Sequence, residues 1–211
     1  MTDSEMSLFD VMFNCRAMRR LSTREVPEDL LTRLVEAGNQ APSGSNTQGA
    51  RWIIVRDAAQ KAKLAELNRV AVEAYASASS GRADELPHQS AAKRERMLGA
   101  VLWQKDHLHE VPAIILACMD FGRPIDRAAM AGGGGSIWPG VQNLLLAARA
   151  LGLGATPTTL ALQDPSAVAG ILDLPPSMGV FCLIPVGYPL GKFGPVTRKP
   201  VDEVLRFDRW S

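Results

Sequence analysis

The chain has 211 residues, of which 46% are hydrophobic and 21% are charged. These proportions are typical of a folded globular protein and exclude a disordered chain, and the lack of an apolar run of about 18 residues excludes a membrane-spanning helix. With 23 Lys and Arg against 22 Asp and Glu, the net charge is +1. That balance argues against a protein that works mainly by binding nucleic acid.

The length and the cysteines bound the organisation of the chain. A protein of this size buries about 70% of its surface on folding, enough for one core. No internal repeat or linker interrupts the sequence, so we expect residues 1–211 to form a single domain. Cys15, Cys118 and Cys182 lie in apolar segments without CxxC spacing, and no signal peptide is evident. These features predict free thiols in a reducing cytoplasm.

The hydrophobic periodicity predicts the elements of the first half. A first helix is expected over 6–19, and a second opens at Pro27 and stops near Gly38. The pattern then predicts, in order, a polar loop (41–48), a buried strand (51–57), an Ala-rich helix (58–79), a loop (80–90), a charged helix (91–110) and a second buried strand (111–120).

The second half continues the alternation. An irregular connection with four consecutive glycines is predicted over 121–135, and Ser136 is the expected N-cap of an apolar helix that ends at Gly152. An extended segment (155–162), a short helix (164–174) and a third long strand (178–189) are expected to follow. Strands that alternate with longer helices predict an α/β or α+β domain.

Two basic segments without any acid lie near opposite ends of the chain, at 16–24 and 188–200. They predict a compact anion site if the fold brings them together. Arg20, Ser22 and Arg24 alternate along the first segment, so in an extended chain they point to one side and suit a phosphate. A solvated basic turn explains the same spacing equally well.

Three other motifs give weaker evidence about function. The loop over 41–48 offers hydroxyls, an amide and a glycine backbone for the polar edge of a heteroaromatic ligand, although an ordinary turn has the same composition. Residues 152–157 begin like a dinucleotide-binding glycine motif but lack its last glycine and follow a helix. His107 and His109 lie on different sides of the predicted helix, so no metal site is predicted.

Four motifs stand in an order that belongs to one enzyme family. Arg-x-Ser-x-Arg (20–24) precedes Ala-Pro-Ser-x-x-Asn-x-Gln (41–48) and a buried strand, and the helix QNLLLAARALGLGA and the tail IPVGYP with Arg198 follow. The chain resembles the FMN-dependent nitroreductase family from about residue 12 onward. The resemblance implies a nitroreductase-type α+β fold, a mixed, mostly antiparallel sheet surrounded by helices, in a homodimer with flavin sites at the subunit interface.

The resemblance also implies an FMN site, residue by residue. Arg20, Leu21 and Ser22 match the positions around the FMN phosphate, Arg198 matches the C-terminal arginine that returns to it, and Arg24 matches the cation near the flavin pyrimidine ring. Two further sets match the loop that reaches the partner's flavin (Pro42, Ser43, Gly44 and Asn46) and the strand beside flavin N5 (Thr156, Pro157, Thr158, Thr159 and Leu160).

The activity that the resemblance implies is ping-pong transfer of hydride from NAD(P)H, through flavin N5, to a nitroaromatic, quinone or activated alkene. The lack of a Cys/His or His/Asp constellation agrees with this, because the flavin does the electron chemistry. Two alternatives share the fold: a protein that sequesters FMN without turnover, and another flavin reaction such as reductive dehalogenation, flavin fragmentation or enone reduction. Neither nucleic acid nor membrane is an expected partner.

The chain departs from the family pattern in three places. Gly49–Trp52 stands where members often have Pro-Trp, and Thr159 and Leu160 stand where many have an acidic residue and Gly. The connection after Asp120 is short for a substrate-covering helix pair, so residues 80–110 are expected to cover the site instead. That makes Met97, Trp103 and His107 candidate substrate contacts, with packing and surface exposure as the alternative.

Overall fold

The computed structural model describes residues 6–79 and 90–210, so the predicted loop over 80–90 lies almost wholly outside the described residues. The helices of the described part are α1 (Leu8–Asn14), α2 (Glu28–Asn39), α3 (Ala58–Ser79), α4 (Ala91–His107), α5 (Arg127–Ala150), α6 (Pro165–Ile171) and α7 (Val201–Val204). The strands are β1 (Ala50–Val55), β2 (Ala113–Asp120), β3 (Gly154–Ala155) and β4 (Met178–Gly187). None of these helices is long and apolar enough to cross a membrane.

The strands form one sheet in the order β1-β2-β4-β3, and each pair within the described residues is antiparallel. Ile115 of β2 lies opposite Ile54 of β1 on one side and Ile184 of β4 on the other. The prediction of an α+β fold around a mostly antiparallel sheet is confirmed.

Helices cover both faces of the sheet, because successive strand side chains point to opposite sides. Ile115 packs with Leu31 of α2 and Leu144 of α5 in one buried cluster. Its neighbour Ile114 packs with Leu64 of α3 in the second cluster. The central strands are therefore apolar and buried along nearly their whole length, as the buried runs in the sequence predicted.

The first helix is shorter than predicted. It ends at Asn14, and the chain from Cys15 onward is extended rather than helical. The backbone there bonds to the sheet instead of to itself: the Met18 N–H donates to the Ala155 carbonyl at 3.3 Å, and Leu21 forms an antiparallel bridge with Pro189. The helical spacing of apolar residues does not predict a helix correctly where the backbone instead pairs with a distant strand.

The prediction of an irregular, glycine-rich connection before Ser136 was wrong. Helix α5 begins at Arg127, where the Asp126 carboxylate accepts a hydrogen bond from the Ala129 N–H at 2.7 Å. Ser136 lies inside the helix, and its hydroxyl accepts a hydrogen bond from the Gly44 N–H at 3.0 Å. Low intrinsic helix propensity argued against helical glycines, but packing overrides it. The predicted end of the helix holds, since Gly152 has a φ of 72° just beyond Ala150.

The segment after α5 is only partly extended. It contributes the short strand β3, which the sequence did not predict as a separate strand. Residues Leu160–Gln163 then form a 3₁₀ turn, within what was predicted to be extended chain. Thr158 bonds through its backbone to Leu183 of β4, so the sheet still anchors this segment.

Two glycines of the run in α5 differ in the space around them, which allows a test of whether packing requires glycine there. A Cβ at Gly133 would lie 2.8 Å from Phe121 Cζ and 3.0 Å from Phe181 Cζ, whereas a Cβ at Gly135 meets nothing within 4 Å. We expect Gly133→Ala to lower the free energy of unfolding by about 1–3 kcal/mol through overpacking. Gly135→Ala is the matched control and should raise it by up to about 1 kcal/mol. Urea unfolding measures both; equal effects would contradict the packing explanation.

Candidate active site

The two basic segments run side by side. The Ser22 N–H donates to the Tyr188 carbonyl at 2.8 Å, and the Leu190 N–H donates to the Arg20 carbonyl at 3.0 Å. Leu21 between them is buried and forms a bridge with Pro189. The prediction that the fold brings the two ends of the chain together is confirmed.

A cavity of about 500 Å³ opens beside this pairing, here called the cationic cavity. The cations that line it are Arg16, Arg19, Lys93, Arg96 and Arg198, and no carboxylate of residues 6–79 or 90–210 lines it. None of these cations has a carboxylate partner among the described residues. Burial lowers the pKa of the Arg19 guanidinium. A concave site whose described charged side chains are all positive attracts an anion, and guanidinium groups suit a phosphate.

Three of the predicted phosphate and flavin contacts have other surroundings. The Arg20 guanidinium lies against α4, 3.8 Å from the position that a Cβ on Gly99 would take, and it does not line the cationic cavity. The Arg24 guanidinium stacks over the Tyr188 ring at 4.0 Å. The Ser22 hydroxyl is buried and has no hydrogen-bond partner among the described residues. Their roles toward FMN stay predictions.

A second cavity of about 230 Å³, here called the polar cavity, shares Arg19 and Met97 with the cationic one. It is lined by Pro157, Thr158, Thr159 and Leu160, together with Val72, Tyr75, Val101 and Gln104. Pro157 to Leu160 belong to the segment that the resemblance places beside flavin N5, and Thr156 lies buried just before them. Their role toward FMN stays a prediction.

Hydrogen bonds hold the polar cavity in place. Thr158 donates its N–H to the Leu183 carbonyl at 2.8 Å and accepts from the Leu183 N–H at 2.9 Å. Its hydroxyl donates to Oδ1 of the buried Asn68 at 3.2 Å. Gln104 is only 5% exposed, yet its Nε2 has no partner among the described residues. A buried donor without a partner costs about 1–3 kcal/mol, which a ligand acceptor in the cavity removes.

Of the three candidate substrate contacts, one lines the cavities and two do not. Met97 lines both cavities. Trp103 and His107 instead stack on each other, with ring centroids 4.2 Å apart, and neither lines the two cavities. The His107 Nδ1 lies 2.9 Å from Glu110 Oε2, which fixes the ring at the surface.

The predicted partner-flavin loop is compact and strained. Residues Gly44–Asn46 form a 3₁₀ turn that sits on α5 through the bond from Gly44 to Ser136. The Ser43 hydroxyl accepts from the Gln48 N–H at 3.0 Å, and Ser45, Asn46 and Gln48 have φ values of 51°, 53° and 50°. Several non-glycine residues in the left-handed region store strain, which is typical of functional loops. The loop, including Pro42, lies outside both cavities.

A third and larger cavity of about 760 Å³ lies on the other side of Thr159. Its walls are apolar and include Trp138 of α5 and Phe181 of β4.

Two of the cysteines are buried in the sheet, and burial raises the pKa of both Cys118 and Cys182 to about 12. Neither thiol is therefore a thiolate at neutral pH, and neither serves as a nucleophile.

Comparison with known proteins decides the family. The model of the nitroreductase family matches residues 14–188. The chain belongs to the nitroreductase family. Among the relatives of this nitroreductase-family protein, an NADH dehydrogenase of Thermus thermophilus is 33% identical over 201 residues, which is 90% of each chain. An iodotyrosine deiodinase of Thermotoga neapolitana is 28% identical over 198 residues, 94% of this chain and 95% of the deiodinase.

Solved structures agree on the fold. An iodotyrosine deiodinase bound to FMN and 3-iodo-L-tyrosine superposes with a TM-score of 0.73 at 24% identity, covering 97% of this chain and 100% of the deiodinase. The NADPH:FMN oxidoreductase of Vibrio harveyi, complexed with NAD⁺, also gives a TM-score of 0.73, at 17% identity over 97% of this chain and 78% of its own. These structures support the same fold, and the family match with the NADH dehydrogenase relative makes this protein a nitroreductase-family oxidoreductase.

The residues present fit FMN. The cationic cavity offers guanidinium groups to a phosphate, and the adjoining polar cavity has a buried, unpartnered amide donor in Gln104 for a polar ring edge. The buried Ser22 hydroxyl beside the same basic segments also lacks a partner. A phosphate in the cationic cavity and a heteroaromatic edge in the polar cavity match the unpaired cations and the Gln104 donor, whereas Ser22 lines neither cavity.

Sequence reasoning missed several of these side chains as site residues. Arg16 and Arg19 were visible in the acid-free segment, but no motif distinguished them from Arg20. Lys93, Arg96 and Gln104 lie on one side of α4, and their spacing alone resembles any charged surface helix. That the described residues lining the cationic cavity include no acid became visible only when the elements were assembled.

Proposed function

We propose that this nitroreductase-family protein is an FMN-dependent oxidoreductase that takes electrons from NAD(P)H and reduces a small oxidised acceptor, such as a nitroaromatic, quinone or activated alkene. The observation that carries the proposal is the junction of the cationic cavity with the polar cavity at Arg19 and Met97. That junction supports a ligand with an anionic end and a planar polar end. FMN, when bound, supplies the hydride and two-electron chemistry.

The chain's own residues bind and orient in this proposal. Arg198 holds the phosphate together with Arg16 and Arg19, which line the same cationic cavity. Arg20 and Ser22 do not line that cavity in the structure and would turn toward the bound phosphate. The rigid Thr158 backbone, bonded to β4, keeps the segment from Thr156 to Leu160 against the ring. Arg24 is the cation that stabilises negative charge on the reduced ring, and it would exchange its contact with Tyr188 for this role.

The proposal also includes the assembly and setting of the protein. A single domain over residues 1–211 pairs with a second copy, and Pro42, Ser43, Gly44 and Asn46 of one copy reach the flavin of the other. Large exposed apolar side chains near both ends, among them Phe9, Phe13, Phe207 and Trp210, support such a homodimer because a monomer would leave them in water. Free buried cysteines support a cytoplasmic location.

The first experiment uses the purified protein as isolated. We expect a yellow protein whose FMN absorbance near 450 nm is bleached within seconds by NADPH or NADH under anaerobic conditions and restored by a quinone or nitroaromatic. A protein that cannot take up FMN would contradict the cofactor. Persistent colour with both nucleotides would contradict the reductase and favour FMN sequestration without turnover.

Reductive dehalogenation is the second candidate, because two relatives of known activity, from Thermotoga neapolitana and Hydra vulgaris, are iodotyrosine deiodinases. The dithionite-reduced protein should then be reoxidised by 3-iodo-L-tyrosine with release of iodide. No reoxidation by the iodinated amino acid, together with rapid reoxidation by quinone, leaves the first candidate standing.

A further inference from the structure

One side of α4 runs along both cavities. Lys93, Arg96 and Ala100 line the cationic cavity, Val101 and Gln104 line the polar cavity, and Met97 lines both. These residues recur three or four positions apart, which places them on one face of the helix, here called the α4 face. At 1.5 Å per residue, Lys93 lies about 16 Å along the axis from Gln104. The α4 face therefore runs from a cationic end to an amide end.

The cationic cavity carries more positive charge than one phosphate group neutralises. A phosphate monoester has a charge of about −1.5 to −2 at neutral pH, whereas five cations of the described residues line the cavity. Arg16, Arg19 and Arg198 come from the two paired basic segments and suffice for a resident phosphate. Lys93 and Arg96 come from a different element, and their charges remain unmatched among the described residues.

The two α4 cations are also accessible. Arg96 is exposed and Lys93 is half-buried, so a ligand that arrives from solvent and leaves again can reach both. Arg19, in contrast, is desolvated enough to have a lowered pKa. A second anionic group, carried by a visiting ligand, accounts for cations at this place.

We propose that Lys93 and Arg96 bind the 2′-phosphate of NADPH and make this enzyme prefer NADPH to NADH. The inference rests on the proposed function, since it names which nicotinamide nucleotide donates the electrons. The two cations hold the 2′-phosphate at the cationic end of the α4 face, while the Gln104 amide at the other end stays with the flavin ring edge. NADH has only a hydroxyl in place of that phosphate and leaves both cations unpaired.

The test compares the FMN-loaded wild type with the double variant Lys93→Ala/Arg96→Ala. Arg33→Ala/Lys63→Ala is the matched control, because it removes two exposed cations of α2 and α3 that lie outside the cavities. Calorimetry measures binding of adenosine 2′,5′-bisphosphate and of 5′-AMP, which differ only in the 2′-phosphate. Anaerobic stopped flow measures flavin reduction by NADPH and by NADH.

We expect the wild type and the control to bind the bisphosphate at least tenfold more tightly than 5′-AMP and to have a higher kcat/KM with NADPH. From the usual strength of charge-assisted hydrogen bonds, we expect the double variant to lose about 10- to 100-fold in affinity for the ligands that carry a 2′-phosphate. Its Kd for 5′-AMP and for FMN and its kcat/KM with NADH should stay within about twofold of the wild-type values.

Equal affinity of the wild type for the two adenosine ligands would overturn the inference and leave the proposed function intact. Parallel losses toward NADH or FMN in the double variant would also overturn it, because the cations would then serve a shared phosphate. If neither nucleotide reduces the bound flavin, the proposed electron donor is wrong. A selective loss of bisphosphate binding in the variant would still support the phosphate subsite.

Discussion

Replacing Ser22 by alanine should stabilise the flavin-free protein and weaken its binding of FMN. The Ser22 hydroxyl is buried without a partner among the described residues, while its backbone N–H already bonds to Tyr188. An unsatisfied buried hydroxyl costs about 1–3 kcal/mol, so its removal should raise the free energy of unfolding of the apoprotein by about 1 kcal/mol. The same removal deletes a donor to the phosphate and should raise the Kd for FMN about tenfold or more.

The experiment is decisive because the expected effects on apoprotein stability and on FMN affinity have opposite signs. Urea unfolding of the deflavinated protein measures the first effect, and quenching of flavin fluorescence on titration measures the second. Thr23→Ala is the control, because Thr23 is the adjacent exposed hydroxyl and should change either quantity little. If Ser22→Ala destabilises the apoprotein and leaves the FMN affinity unchanged, the hydroxyl has a structural role and the phosphate assignment fails.

The second large effect is expected for Arg198→Ala. Arg198 lines the cationic cavity with Arg16 and Arg19, and its guanidinium bonds within the described residues to the Thr197 carbonyl at 3.0 Å. Loss of a charge-assisted contact to phosphate should raise the Kd for FMN by about 10- to 100-fold. Because the side chain is exposed and holds no other element, the stability of the apoprotein should change by less than about 0.5 kcal/mol.

Two comparisons separate this effect from a general loss of charge. Arg206→Ala removes an exposed arginine of the same C-terminal segment, which stacks over Trp210, and should leave FMN binding intact. Arg198→Lys keeps the charge but loses the guanidinium fork, so its Kd should lie between those of the wild type and the alanine variant. Unchanged FMN affinity in Arg198→Ala, measured by titration in low salt, would refute the role of the C-terminal arginine.

Where the chain's signals were local, the sequence was sufficient. The continuous apolar runs predicted strands at β1, β2 and β4, because a strand's pattern lies in consecutive residues. The prediction that β1 is buried was wrong except at Val55, because β1 lies at the edge of the sheet. Pro27 and the acids after it marked the start of α2, and Gly152 marked the end of α5. The order of four motifs indicated the family that the comparison then established.

Where an element depends on distant residues, sequence reasoning failed. The glycine run lies within helix α5, and Phe121 and Phe181 leave no room for a side chain at Gly133. The first helix stops at Asn14 because the following backbone bonds to strand residues more than a hundred positions away. Neither partner is visible from the local sequence, since both contacts are tertiary.

By itself, the sequence determined that two acid-free basic segments exist in a nearly neutral chain, and which family their motifs resemble. Only the tertiary structure decided which cations share a cavity. It placed Arg16, Arg19 and Arg198 together, left Arg20 against α4, and added Lys93 and Arg96 from a helix with no phosphate motif. The physical reason is that a motif records the chemistry of neighbouring residues, whereas the lining of a cavity depends on how helices rotate and pack against a sheet.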